Sequence, residues 1–125
     1  MATWTIKLDY IANWLQQLPE EQYRDTIVAL KYLAEVGPSG GRPYIDRVHH
    51  SKYHNLKELR PRKSAKNIRI LFIFDPLQQA ILLVAGDKTS HWDKWYKQNV
   101  PTAEALYEQH LNTTHTKAGQ THDTR

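Results

Sequence analysis

The sequence predicts an α+β domain in which an N-terminal helical hairpin packs on a small antiparallel sheet and a C-terminal helix follows. Two observations predict this class: apolar residues recur at helical spacing in the first third, and they alternate with period two between residues 56 and 85. The clearest strand covers 68–74. One of its faces carries Ile68, Ile70, Phe72 and Phe74, and the other carries Arg69, Leu71 and Ile73. A guanidinium therefore lies opposite the richest apolar row.

Length and composition limit the number of domains, the chemistry and the location of the protein. A chain of 125 residues is long enough for one domain with its own core. Cysteine is absent, so there is no disulfide framework, thiolate metal site or cysteine nucleophile. The first residues lack the pattern of a signal peptide, and no apolar run approaches the length of a membrane span. We therefore expect a cytoplasmic protein with no membrane association.

The first third predicts a strand and two helices. Alternation over 3–8 indicates a short strand, and Asp9 is a plausible N-cap for a helix over 11–18. Pro19 suits the first turn of a second helix, which Gly37 and Pro38 end.

The rest of the chain predicts a hairpin sheet and a last helix. Residues 37–54 lack a clear period and are predicted to form a long loop, with a short strand near Tyr44. Strands are expected at 56–60, 68–74 and 80–85, with a basic loop at 61–67. A helix over 91–99 is predicted to kink or restart at Pro101. We expect a domain over 1–111 and a disordered polar tail over 112–125.

Positive charge is concentrated in the middle of the chain. Residues 42–97 carry twelve Lys or Arg and five Asp or Glu, a net of +7, whereas the flanks total −3. This distribution favours a localised phosphate-binding surface. If 56–60 pairs antiparallel with 68–74, Arg60 and Arg69 lie close together on the face opposite the Ile/Phe row.

Several side chains fit metal-independent RNA cleavage, which needs a base for the 2′-hydroxyl, cations for the phosphorane and an acid for the leaving oxygen. The candidate catalytic residues are Glu58, Arg60, Arg69, Lys88 and His91, with Tyr96 nearby in the pattern. The alternative interpretation is structural: Glu58 and Arg60 form an ordinary same-face pair, and Lys88 is a solvated turn residue. Arg69 fits that alternative least well, because an arginine inside an apolar strand is costly without a partner.

Further residues fit binding of single-stranded RNA. The candidates are Lys57, Arg62, Lys63, Lys66, Trp95 and Tyr96. Trp92, Trp95 and Tyr96 could present rings to bases, although aromatics at this spacing more often dock a helix on its sheet. The histidines at 49, 50 and 54 lack the support expected of a zinc site, and no phosphate-cradling glycine loop or GxSxG motif is present. We expect no metal and no cofactor.

Five blocks in order resemble the phage-derived HigB-like branch of the RelE/ParE toxin superfamily: NLKELRP, IRILFIFDP, AILLVAGDK, WDKWY and NVPTAEALYEQHL. The resemblance implies a RelE-like fold and a toxin inhibited by a cognate helix-turn-helix antitoxin. RelE-type members cut mRNA on the ribosome by 2′-hydroxyl attack. The resemblance also implies phosphate binding by Arg69 and Arg60, a stabilising cation at Lys88, and an acid or stacking role for His91 or Tyr96. Glu58 departs from the family, which often has a lysine there.

The resulting hypothesis is a type II toxin that acts as a ribosome-dependent, metal-independent mRNA endoribonuclease. Its expected partners are the antitoxin, mRNA and the ribosome, and Glu58 or His91 carries the protons. Two alternatives remain open. ParE-like relatives share the fold but poison DNA gyrase without a nuclease site, and a phage-derived protein could bind nucleic acid without being toxic.

Overall fold

The computed structural model describes residues 3–89 and 91–123, with side chains described up to residue 113. Its strands are β1 (Thr5–Lys7), β2 (Ile45–Arg47), β3 (Lys57–Leu59), β4 (Ile68–Asp75) and β5 (Gln79–Asp87). Its α-helices are α1 (Ala12–Gln16), α2 (Glu20–Val36) and α3 (Trp92–Asp123). Short 3-10 helices span Gly37–Ser39 and Lys63–Ala65.

The five strands form one sheet in the order β1-β5-β4-β3-β2. Strands β2 to β5 are antiparallel neighbours, as the turn-rich connections predict. Strand β1 instead pairs parallel with β5, with Thr5 opposite Gln79, because α1 and α2 carry the chain across one face before the next strand begins. The sheet is therefore mixed and not wholly antiparallel as predicted, whereas the predicted α+β class is confirmed.

Helices cover both faces of the sheet. Ile68, Ile70 and Phe72 face the core that includes Leu15 of α1 and Leu33 of α2. The other face buries Leu56, Leu71, Ile73 and Leu83 against Val100 and Ala103 of α3. Since side chains alternate along β3 and β4, Glu58 and Arg69 lie on the α3 side.

One local prediction was wrong, and one of the two alternatives predicted at Pro101 is excluded. Asp9 does not cap the first helix: the residue before α1 is Ile11, and no side-chain cap is present there. The chain also does not restart at Pro101, because α3 is continuous from Trp92 through Asp123. Side chains bond to carbonyls near the proline: Asn99 Nδ2 donates to Trp95 O at 2.8 Å, and Thr102 Oγ1 donates to Gln98 O at 3.2 Å.

For most of the predicted tail over 112–125, the structure describes the backbone but not the side chains. The backbone of α3 continues through Asp123, whereas we expected disorder from residue 112. Side chains from 114 onward and the whole of 124–125 are not described. The division of the chain at residue 111 therefore stays a prediction. Within the described residues, no helix combines the length and apolar character needed to cross a membrane.

Trp95 of α3 packs directly against Gly86 of β5. A Cβ added to Gly86 would lie 2.4 Å from Trp95 Nε1, well inside van der Waals contact. We expect Gly86→Ala to lower the free energy of unfolding by about 1–3 kcal/mol, because the indole must move to make room. Urea denaturation measures this change. Gly41→Ala is the matched control, since a Cβ there meets no atom within 4 Å. Equal stability of the two variants would contradict the close contact.

Candidate active site

Strand register brings Arg60 and Arg69 together. Leu59 pairs with Ile70, so continuing the register by one residue sets Arg60 beside Arg69. Both residues line a pocket of about 260 Å³ between the ends of the strands and the loop that joins them. The lining of this basic pocket consists of Pro43, Arg60, Pro61, Arg62, Lys63, Lys66 and Arg69. Five of these seven side chains are cationic, which suits an anionic ligand.

Arg69 is fixed in the floor of the basic pocket. The residue is 5% exposed, and its Nη1 donates to the backbone oxygens of Lys66 at 2.9 Å and Ile68 at 2.8 Å. Its Nε lies 3.8 Å from Glu58 Oε1, which is an ion pair but too long for a hydrogen bond. These contacts hold the guanidinium in one orientation before any ligand arrives.

Glu58 connects Arg69 to α3. The carboxylate is 8% exposed and accepts a hydrogen bond of 2.5 Å from the Tyr96 hydroxyl. Burial raises the pKa of the Tyr96 phenol, and the hydrogen bond to Glu58 raises it further. Tyr96 therefore stays protonated and acts as a hydrogen-bond donor. The Glu58 carboxylate therefore contacts two protein groups, the Arg69 guanidinium and the Tyr96 hydroxyl.

Arg60 has an acidic partner that the sequence did not reveal. Its Nη1 lies 3.5 Å from Asp46 Oδ2, and the same oxygen accepts a 2.8 Å hydrogen bond from Arg42. Asp46 lies on β2, in the stretch where no periodicity could be detected. The Arg60 side chain keeps 32% of its surface exposed, so it remains accessible from the basic pocket.

Lys88 adds a third cation. It follows β5, and its backbone nitrogen donates to Asn67 O at 2.9 Å. Burial lowers the pKa of the Lys88 ammonium, and the charges of Arg69 and then Arg60 lower it further. The strand register agrees, because Arg69 pairs with Gly86, and Lys88, two residues further along, continues on the same face of the sheet. Arg60, Arg69 and Lys88 thus converge from three neighbouring strands, and we call them the cation cluster.

Of the other predicted residues, some lie outside the basic pocket and some line it. Lys57 is on the α2 side of β3, opposite to Glu58, and pairs with Phe72. His91 lines a separate pocket of about 340 Å³ at the start of α3. Trp95 is partly buried against the α3-side core, where it packs on Gly86. Tyr96 is also partly buried, so the packing interpretation describes both rings well. Arg62, Lys63 and Lys66 line the basic pocket as noted above.

Trp92 is one of the three rings that the sequence offered for base stacking, but it is not among the predicted RNA-binding residues. It opens α3 and is 56% exposed, whereas Trp95 is partly buried. Spacing along the helix could not separate the two, because both lie within one turn. Among the residues that the structure describes, no three His, Cys, Asp or Glu side chains are grouped so that they could hold a metal ion.

The mixed five-stranded sheet with helices on both faces is the fold of the RelE-like class of small α+β proteins. Among solved structures, the chain is similar to an archaeal RelE in the crystal structure of the RelE-RelB complex from Pyrococcus horikoshii OT3. The TM-score is 0.53 at 15% identity, and the match covers 72% of this chain and 99% of that chain. At this identity the likeness concerns the fold.

Sequence comparison gives the family. The model described as phage derived protein Gp49-like (DUF891) matches residues 13–108. Two Mycobacterium tuberculosis proteins, named as toxins HigB2 and HigB3, are 40% and 42% identical over 109 and 110 residues. These matches cover 86% and 88% of this chain, but 54% of HigB2 and 95% of HigB3, so the chain spans about half the length of HigB2. The chain belongs to the phage-derived Gp49-like family and is related to the proteins named toxins HigB2 and HigB3.

Removing the Tyr96 hydroxyl tests the connection between Glu58 and α3. We expect Tyr96→Phe to lower the free energy of unfolding by about 1–3 kcal/mol, because a buried carboxylate loses its hydrogen-bond donor. Chemical denaturation followed by circular dichroism gives the value. Tyr23→Phe on the 40% exposed residue of α2 is the control and should change stability by less than about 0.5 kcal/mol. A Tyr96→Phe variant as stable as this control would refute the connection.

Proposed function

We propose that this protein is the toxin of a type II toxin-antitoxin pair and that it cleaves mRNA on the ribosome without a metal ion. The observation that carries the proposal is the cation cluster at the basic pocket. Arg60 and Arg69 line the open basic pocket, and Lys88 continues on the same face of the sheet as Arg69. A phosphodiester fits both the positive charge and the open pocket. Family membership and the toxin names of the relatives support the same function.

The proposed reaction is an internal phosphoryl transfer. The ribose 2′-oxygen attacks the adjacent phosphorus, a base takes its proton, and the bond to the 5′-oxygen breaks. The products are a 2′,3′-cyclic phosphate and a 5′-hydroxyl, so no water is consumed in this step. Arg69 and Arg60 hold the non-bridging oxygens, and Lys88 stabilises the charge that develops on the phosphorane.

Proton transfer is divided among three residues. Lys88 has a lowered pKa, which makes it a better acid near neutral pH than an ordinary lysine, so it can also protonate the leaving 5′-oxygen. Glu58 and His91 remain the candidates for the base. Glu58 is close to the phosphate-binding groups but buried, whereas His91 is exposed at the start of α3. Tyr96, with its raised pKa, serves to orient Glu58.

The proposed partners follow from the toxin assignment. A cognate antitoxin with a helix-turn-helix domain would bind this chain and silence it, as the resemblance implies. The structural neighbour is described as a complex of RelE with RelB, which supports an antitoxin partner. Action on the ribosome would make the protein cytoplasmic. These assignments are independent of how Glu58 and His91 share the proton transfers.

Substitutions in the cation cluster test the nuclease. When the protein is expressed in a bacterial host, primer extension should detect new 5′ ends in a translated reporter mRNA and none in an untranslated copy. We expect Arg60→Ala and Lys88→Ala each to reduce cleavage by about 10²-fold, the cost of removing one preorganised electrostatic contact. Arg24→Ala, whose side chain is 71% exposed on α2, is the control and should cleave normally.

The same experiment separates the alternatives. Growth arrest with broken DNA and no new 5′ ends would assign the protein to the gyrase poisons. Normal growth at a protein level verified by immunoblotting would favour a non-toxic nucleic-acid-binding protein. Cleavage that survives Arg60→Ala and Lys88→Ala would leave the nuclease assignment but remove the cation cluster from it.

A further inference from the structure

Trp92 is the large aromatic side chain that the fold leaves most open beside the cation cluster. It is 56% exposed, although burying an indole is worth more than burying almost any other side chain. Trp95, one turn away, is partly buried because its ring packs on Gly86. The exposure of Trp92 is therefore not explained by core packing.

Two contacts tie the Trp92 ring to the candidate site. The Lys88 ammonium lies over the ring, with Nζ 5.5 Å from the ring centroid. The Tyr96 ring meets it edge to face, with centroids 6.2 Å apart and an interplanar angle of 88°. Lys88 belongs to the cation cluster, and Tyr96 bonds to the Glu58 carboxylate that faces Arg69. The indole thus lies one side chain away from the cations, in an orientation set by its neighbours.

We propose that Trp92 stacks on the nucleobase next to the phosphate held by the cation cluster. The inference rests on the proposed function for the position of the phosphate and names the part of the substrate that is bound beside it. In a nucleotide, base and phosphate are separated by one sugar, which matches an aromatic ring adjacent to a cation. Lys88, in contact with the ring and repelled by Arg69 and Arg60, can serve both parts of the nucleotide.

This arrangement predicts a characteristic selectivity. Stacking tolerates every base because each has a π-face, so Trp92 confers affinity for single-stranded RNA without reading a sequence. Larger rings overlap the indole more fully, so a purine is preferred over a pyrimidine at this position. A protein docking surface would show no such preference.

The test is a binding comparison with uncleavable RNA. The probes are dye-labelled RNA pentamers with 2′-methoxy groups at every sugar, either intact or with an abasic sugar at each position in turn, and fluorescence anisotropy reports affinity. In the wild-type protein, loss of one particular base should weaken binding by about tenfold, the order expected for one stacked base. Trp92→Ala should weaken the intact pentamer by the same factor and leave the pentamer abasic at that position unaffected. Trp92→Phe should retain most of the affinity.

Controls distinguish this proposal from the nuclease assignment. Tyr10→Ala removes an aromatic side chain of similar exposure, 45%, that is far along the chain from α3, and should change nothing. Arg60→Ala should weaken every pentamer, abasic ones included, because it acts on the phosphate. If cells show no mRNA cleavage while the abasic comparison behaves as expected, the nuclease fails and the stacking site stands.

Two results would overturn the stacking site. If Trp92→Ala weakens intact and abasic pentamers equally, the indole acts only by placing Lys88. Alternatively, Trp92→Ala could leave all pentamers unaffected, and loss of binding to a co-expressed antitoxin would then assign the ring to a protein interface. Circular dichroism of each variant verifies that the fold is retained.

Discussion

The ion pair between Arg69 and Glu58 is the interaction on which both the fold and the candidate site depend. Both residues are at least nine-tenths buried, and a charge in such a position is tolerated only with a partner. The pair joins β4 to β3, and the Tyr96 hydroxyl extends it to α3. This charged contact therefore connects two strands and a helix. It also fixes the Arg69 guanidinium where it lines the basic pocket.

The cation cluster shows a conflict between stability and binding. Arg60, Arg69 and Lys88 carry like charges: burial lowers the pKa of Lys88, and the charges of Arg69 and then Arg60 lower it further. Asp46 and Glu58 offset this repulsion only in part, since each is shared with another donor, Arg42 or Tyr96. A bound phosphodiester would relieve the repulsion and favour protonated Lys88. In the proposed function this repulsion favours binding of an anion, because a negative ligand relieves it.

The sequence predicted those parts of the site that follow from strand periodicity. Alternation in 56–60 and 68–74 was sufficient to bring Arg60 beside Arg69, because a hairpin register fixes which residues are neighbours. Asp46 could not be found, since β2 has three residues and no detectable period. Strand β1 also has three residues, too few to predict its parallel pairing with β5. Trp92 and Trp95 have the same side chain and lie three residues apart. Tertiary packing alone makes Trp95 partly buried and leaves Trp92 exposed.

A double-mutant cycle on Glu58 and Arg69 tests the central claim most directly. Glu58→Leu, Arg69→Met and the double variant are compared by urea denaturation in a Tyr96→Phe background, so that no phenol is left without an acceptor. If the buried pair organises the site, each single variant loses about 3–5 kcal/mol by stranding a charge, and the double variant loses far less than the sum. Losses that add within about 0.5 kcal/mol would show that the two charges do not depend on each other, which contradicts the account.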